Sequence, residues 1–177
     1  EGAMVQSPAV AILIQHPTLG NILYDTGNCE DFSAVYTEEM LHDYPITEMI
    51  SIQEALAQKG LTPDDIDLII LSHLHFDHAG GLKHFVGTKA IRRVLVSEAD
   101  LKNAYWSVMT GNGGAYIRSL FDVEGIQFQT IRETTKLAEG LELFIQASHT
   151  PGVIGMVLKT DHHGTILTTS DTIYTAE

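Results

Sequence analysis

The feature that most constrains this chain is a run of metal-binding side chains directly after an apolar segment. Residues 73–78 read HLHFDH and hold three of the nine histidines of the chain. The preceding residues 68–72, LIILS, form a continuous apolar run that is typical of a strand buried on both faces. Four ionisable side chains at the end of such a strand would be costly to bury without partners. We therefore interpret the HLHFDH cluster as a metal site.

The spacing within the HLHFDH cluster predicts two metal positions. His73 and His75 would diverge by about 200° around a helix, but they point to the same side of an extended segment. Asp77 and His78 are adjacent, so they are better placed to serve a second point nearby, where the chain turns through residues 79–81. Imidazole with carboxylate is a ligand set that favours zinc and also suits iron, manganese, cobalt or nickel. We expect two divalent ions, with zinc preferred.

The rest of the chain predicts strands that alternate with helices. Ser51 and Glu54 form a capping box, which predicts a helix start, and Gly60 marks its end. The remaining segments are two hairpins, 10–16 with 21–27 and 155–160 with 165–172, three further strands, 92–97, 126–131 and 141–147, and a helix over 98–109. This order of elements indicates an α/β protein.

Composition excludes several classes of partner. The chain holds 23 acidic and 10 basic residues, and its formal net charge of −13 repels nucleic acids and anionic lipid surfaces. It has no uninterrupted apolar run of about 18 to 20 residues, as a membrane helix requires. The single cysteine, Cys29, excludes an internal disulfide and fits a reducing compartment. We expect a cytoplasmic protein with a small-molecule substrate and no nucleic-acid or membrane partner.

Four motifs together resemble the metallo-β-lactamase superfamily. They are HLHFDHAGG, the SHTPG that contains His149, the SDTIY that contains Asp171, and the earlier ILYDTG that contains Asp25. The resemblance implies an αβ/βα sandwich, in which two mixed sheets pack face to face with helices outside and metals at one edge. Residues 1–177 would form a single domain. We expect it to be incomplete at both ends and to lack the C-terminal part of the fold.

Carried over residue by residue, the resemblance implies six metal ligands. Three would bind the first ion, two would bind the second, and one would bridge both; these are His73, His75 and His149, then Asp77 and His78, then Asp171. Asp25 would orient a ligand histidine without touching metal. The family's last ligand, a histidine from a later strand, has no counterpart before Glu177. The other histidines are interpreted as ordinary polar side chains, namely His16, His42, His84, His162 and His163.

Within the superfamily, the chain is most similar to the N-acyl homoserine lactonases. Phe76 and Tyr174 match that branch and would contact substrate, whereas Val153 stands where those enzymes usually have a histidine. The resemblance implies a dinuclear metal-dependent hydrolase in which a metal-bridging hydroxide attacks the lactone carbonyl. In this hypothesis Tyr174 stabilises the oxyanion, and Asp77 carries the proton to the leaving ring oxygen.

Three alternatives stay open at this point. The first is a glyoxalase II-like thioesterase, or another small ester hydrolase of the superfamily, since these share the ligand set. The second is a non-hydrolytic, iron-containing redox relative. The third is a sensor or scaffold that binds its small molecule without cleaving it. Hydrolysis assays distinguish all three from a lactonase, and the oligomeric state is not readable from the sequence.

Overall fold

The computed structural model describes residues 6–173, which form two β-sheets with short helices. The strands are β1 Ile12–His16, β2 Gly20–Tyr24, β3 Leu68–Ile70, β4 Val94–Ser97, β5 Phe128–Ile131, β6 Thr135–Ala138, β7 Leu141–Gln146, β8 Val153–Thr160 and β9 Gly164–Thr168. The α-helices are α1 Phe32–Val35, α2 Glu38–Asp43, α3 Ile52–Ala57, α4 Phe76–Ala79, α5 Glu98–Met109 and α6 Arg118–Phe121. Short 3₁₀ turns cover Pro63–Asp65, Leu82–Phe85, Ala90–Arg92 and Ser170–Thr172.

The first sheet is mixed, as expected, and has five strands in the order β1-β2-β3-β4-β5. β1 and β2 form the predicted antiparallel hairpin, while β2, β3, β4 and β5 pair in parallel. All three residues of β3 are buried, as the apolar run predicted. Because β2, β3 and β4 are parallel, their carboxyl ends meet at one edge of the sheet. Crevices outside the carboxyl ends of parallel strands are common ligand sites.

The second sheet has four strands in the order β6-β7-β8-β9, and all of its described pairs are antiparallel. The expectation of two mixed sheets therefore holds only for the first sheet. In the second sheet, short turns join β6 to β7 and β8 to β9, and a longer loop joins β7 to β8. Sequence reasoning missed β6, because its four residues TKLA are only partly buried and have no apolar run.

Side-chain alternation places the core on both faces of the first sheet. Ile22 and Tyr24 face the second sheet, and they pack in one cluster with Leu143 and Met156 of that sheet. Leu23, which lies between them, points to the opposite face and joins a cluster with helix residues such as Leu56. Alternate residues of a strand point to opposite faces, so the described residues supply three layers in the order helices, first sheet, second sheet.

Helix α3 illustrates how local sequence sets an element. The Ser51 hydroxyl accepts from the Glu54 backbone N–H at 3.2 Å, and the Glu54 carboxylate accepts from the Ser51 backbone N–H at 2.9 Å. This is the predicted capping box, and it satisfies two N–H groups at the start of the helix.

Within residues 6–173, no helix is long and apolar enough to cross a membrane.

Candidate metal centre

The HLHFDH cluster leaves the end of β3 as an extended segment and then turns into α4. His75 keeps an extended backbone, with φ −67° and ψ 160°, and the helix begins at the next residue. The rings of His73 and His75 therefore lie side by side, with centroids 4.5 Å apart. The turn of α4 brings His78 to the other side of His73, at 4.0 Å between ring centroids. His73 thus lies between the two other histidines of the cluster.

Two groups of side chains have ligand atoms that all lie within 4.8 Å of one another. We call them the first group, His73, His75 and His149, and the second group, His73, His78 and Asp171. His149 comes from the loop between β7 and β8, and its Nε2 lies 3.0 Å from His75 Nδ1. Asp171 reaches both groups, because its two oxygens lie 3.3 Å from His78 Nε2 and 3.7 Å from His149 Nε2.

Asp77 lies beside these groups without belonging to either. Its Oδ2 is 3.6 Å from His78 Nε2, on the same side as Asp171. Burial raises the pKa of the Asp77 carboxyl above its usual value. The predicted role of Asp77 as a ligand therefore stays a prediction, and its position next to the second group is what the structure adds.

Of the two predicted substrate residues, Phe76 and Tyr174, the structure describes Phe76. Phe76 is 8% exposed and packs in a small cluster with Cys29, Tyr36 and Leu120. Its ring meets the Tyr36 ring edge-on at 4.7 Å between centroids. Tyr174 lies outside the described residues. The predicted contact of each with substrate is therefore not tested by the geometry.

The buried carboxylate of Asp25 contacts His78 of the second group. Asp25 follows β2 in a left-handed conformation with φ 60° and is 2% exposed. It accepts hydrogen bonds from the Ser72 backbone N–H at 2.6 Å and from the Ser72 hydroxyl at 2.7 Å. The Nδ1 of His78 lies 2.9 Å from Asp25 Oδ2, so that nitrogen carries the proton and donates it. The bond fixes both the orientation and the tautomer of His78.

Hydrogen-bond accounting leaves the inner nitrogens of His73 and His78 available for a cation. The single proton of the Ser72 hydroxyl goes to Asp25, so His73 Nδ1, 3.0 Å from that oxygen, must donate to it. His73 Nε2 is then an unprotonated, buried nitrogen without a hydrogen-bond partner in the described structure. His78 Nε2 faces the carboxylate of Asp171. A lone pair that faces a carboxylate requires a cation between them, either a proton or a metal ion.

The two groups differ in charge. Burial holds the pKa of His73 far below its usual range and lowers the pKa of His75 to about 3, so both rings are neutral at pH 7. Burial alone would lower the pKa of His78, but the carboxylates of Asp25 and Asp171 raise it well above its usual value. Neutral imidazole and carboxylate are suitable zinc ligands. The donor set and the orphaned nitrogen of His73 therefore fit divalent metal ions.

Sequence reasoning missed a second buried carboxylate, Asp100, on the far side of the first group. Asp100 is 0% exposed and accepts from the Leu74 backbone N–H at 2.8 Å and from the Tyr116 hydroxyl at 2.6 Å. The only local signal was the S-x-x-D spacing of Ser97 and Asp100. That spacing predicts a capped helix, and it does not reveal that the carboxylate turns inwards.

Comparisons with known proteins find relatives over nearly the whole chain. A model of the metallo-beta-lactamase superfamily matches residues 5–177. N-acyl homoserine lactonases from a Bacillus species and from Agrobacterium fabrum are each 30% identical, over 99% and 98% of this chain. A solved N-acyl homoserine lactone hydrolase, with the product N-hexanoyl-L-homoserine bound at its catalytic metal center, has a TM-score of 0.70 and 28% identity over 89% of this chain.

This chain is shorter than those relatives. It spans 68% of the Bacillus lactonase, 66% of the Agrobacterium fabrum lactonase and 60% of the solved hydrolase. The similarity therefore covers nearly all of this chain and about two thirds or less of each relative.

Proposed function

The chain belongs to the metallo-β-lactamase superfamily, and from this membership we propose that it is a metal-dependent hydrolase that opens the lactone ring of N-acyl homoserine lactones. We further propose that residues 1–177 form one domain of that fold and that two divalent ions, zinc in preference, bind at the first and second groups. The substrate would be a small molecule. A cytoplasmic location stays a prediction.

One observation carries the proposal: two adjoining groups of ligand atoms share His73, whose buried Nε2 has no hydrogen-bond partner in the described structure. A buried nitrogen without a hydrogen-bond partner is energetically unfavourable unless it binds a ligand. The names of the relatives support the lactone as substrate, since two lactonases are 30% identical to this chain. A solved relative holds an acyl homoserine at its metal center.

The proposed chemistry divides between the ions and the chain. Two divalent ions would lower the pKa of bound water towards about 7 and supply a nucleophile at neutral pH. Asp25 would hold His78 in the tautomer whose Nε2 faces the centre. Asp77 has a raised pKa beside that nitrogen, so it is suited to pass a proton to the departing ring oxygen. We assign Tyr174 to the oxyanion by its position in the family motif.

A glyoxalase II-like thioesterase is the second candidate, because the same side chains would serve a thioester. The experiment is a hydrolysis panel with the zinc-loaded protein. The panel contains N-hexanoyl-L-homoserine lactone, a glutathione thioester and a simple aryl ester, and ring opening is followed by acid release. We expect the lactone to be hydrolysed with the highest kcat/KM.

Two variants control this panel. His149→Ala removes a member of the first group and should abolish hydrolysis, whereas His42→Ala changes an exposed histidine that pairs with its neighbour Asp43 and should retain it. Preference for the thioester would replace the proposal with its alternative. A protein that holds two ions and hydrolyses none of the three compounds would contradict both.

A further inference from the structure

We propose that Asp100 is a positioning residue that holds the three histidines of the first group in their metal-binding arrangement. The inference rests on the proposed metal-dependent function and adds a residue that lies outside both groups. Asp100 lies at the start of α5, whose first turn is fixed by a hydrogen bond from its backbone N–H to the Ser97 hydroxyl at 3.1 Å. Its carboxylate is completely buried.

The first contact of Asp100 is with the backbone between two ligand candidates. Its Oδ2 accepts from the Leu74 N–H at 2.8 Å. Leu74 separates His73 from His75, whose backbone is extended, and the two rings lie 4.5 Å apart between centroids. This hydrogen bond therefore fixes the segment on which the relative position of His73 and His75 depends.

The second contact acts on the ring of His75. Tyr116 donates its hydroxyl proton to Asp100 Oδ1 at 2.6 Å and accepts from Asn103 Nδ2 at 3.2 Å. With both bonds made, its ring is held against His75, at 4.5 Å between centroids and 68° between planes. Asp100 therefore positions His75 through the face of an aromatic ring as well as through the backbone.

The third contact reaches the loop that carries His149. The Thr150 side chain lies near the Asp100 carboxylate and favours its charged form. Ser97, which caps the same helix, donates its hydroxyl proton to the Gly152 carbonyl at 2.5 Å. A Cβ on Gly152 would lie 2.2 Å from that Ser97 oxygen, so the close approach requires glycine. One helix start thus holds both segments that supply the first group.

The contacts also require an acceptor at this position. Leu74 N–H and the Tyr116 hydroxyl both donate, and an ionised carboxylate is the side chain that only accepts. An asparagine of the same shape would set an NH₂ group against one of these donors. Asp100→Asn therefore changes the positioning with little change in volume.

The experiment is a titration of the metal-free protein with Co²⁺, in competition with a chelator and followed by visible absorption. We expect two binding steps in the wild type. Asp25→Asn identifies the step that belongs to the second group, because Asp25 contacts His78. Asp100→Asn should weaken the other step by about 10- to 100-fold, as is typical when a partner of a metal ligand is lost. The step identified by Asp25→Asn should keep its affinity and spectrum.

Two further variants control the titration. Glu98→Gln changes an acidic residue in the same first turn of α5, where it pairs with Lys102 and Arg132, and should bind both ions as the wild type does. Tyr116→Phe keeps the ring and removes the hydroxyl, so it should weaken the same step as Asp100→Asn by a smaller factor. If Asp100→Asn does not fold, the Co²⁺ titration of Tyr116→Phe provides the test of the inference.

Wild-type affinity for both ions in Asp100→Asn, or in Tyr116→Phe where that variant decides, would overturn the inference. So would a loss in the step that Asp25→Asn weakens, or an equal loss in both steps together with a lower midpoint of unfolding of the metal-free protein. The titration does not depend on the substrate. A protein that shows the expected Co²⁺ pattern but hydrolyses no lactone would contradict the proposed function and leave the role of Asp100 standing.

Discussion

The first and second groups each rest on one buried aspartate, yet they use it differently. Asp100 reaches the first group through the Leu74 backbone N–H and the Tyr116 hydroxyl. Asp25 contacts His78 directly, at 2.9 Å. Burial lowers the pKa of His75 to about 3, so this ring is neutral, whereas the carboxylates of Asp25 and Asp171 raise the pKa of His78. His75 and His78 thus differ in the protonation state from which each would bind a metal ion.

The difference in pKa determines whether a histidine must lose a proton before it binds a cation. His73 and His75 of the first group can bind a cation without losing a proton, because both rings are already neutral. The second group must exchange a proton for the ion, since metal ligation by histidine requires the neutral ring. Variants that affect both groups, or only one of them, therefore test the comparison directly.

The largest expected effect is that of His73→Ala, which breaks the comparison because His73 belongs to both groups. We expect the loss of the first ion on dialysis and a decrease of more than about 100-fold in kcat/KM, beyond the effect of removing only a partner of a ligand. Elemental analysis measures the metal content, and lactone hydrolysis measures kcat/KM. His42→Ala, which removes an exposed histidine, should match the wild type. Retention of two tightly held ions in His73→Ala would contradict the role of His73 as a ligand.

Ser72→Ala should have the next largest effect, because one hydroxyl links the two groups. Ser72 Oγ lies 3.0 Å from His73 Nδ1 and 3.2 Å from His78 Nδ1, and it donates to Asp25. Its removal leaves the Nδ1 proton of His73 without its acceptor, which should cost about 1–3 kcal/mol in the free energy of unfolding.

Chemical denaturation of the metal-free protein measures that cost. Ser119→Ala changes an exposed serine in α6 and serves as the matched control, with no expected change. Equal stability of Ser72→Ala and the wild type would show that the hydroxyl does not support the two histidines.

The smallest expected effect is a difference in the number of protons that metal binding releases, and it tests the protonation of His78. The raised pKa means that His78 is protonated in the metal-free protein at pH 7, and that this proton is lost as the pH rises through the raised value. Metal binding to the wild type at pH 7 should therefore release more protons than binding to Asp25→Asn, which lacks one of the carboxylates that raise the pKa of His78.

Calorimetry in buffers of different ionisation enthalpy counts these protons. The difference between the wild type and Asp25→Asn should disappear at a pH above the pKa of His78. Equal release from the two proteins at pH 7 would mean that Asp25 does not hold a proton on His78.

The sequence predicted those parts of the site that depend on local spacing. His73 and His75 lie on an extended segment after a buried strand, and alternation alone places them on one side. His149 and Asp171 came from the resemblance, because they are distant in sequence. Asp100 could not be predicted in the same way, since its role depends on how α5 packs against a segment 26 residues earlier.

The fold shows the same division between local and long-range information. The capped helix α3 and the β1–β2 hairpin were predicted because their signals lie within a few residues. The short helix α1 and the edge strand β6 have weak local signals and depend on packing against distant elements, whereas α2 was missed although Thr37 caps it. Phe76 belongs to this second class, because its burial against Tyr36 depends on a contact 40 residues away in the chain.

Anomalous diffraction at the zinc edge from crystals of the zinc-loaded protein tests the two-group arrangement most directly. We predict two peaks, one in contact with His73, His75 and His149 and the other in contact with His78 and Asp171. A single peak, or peaks away from His73, would contradict the division of the site into two metal positions.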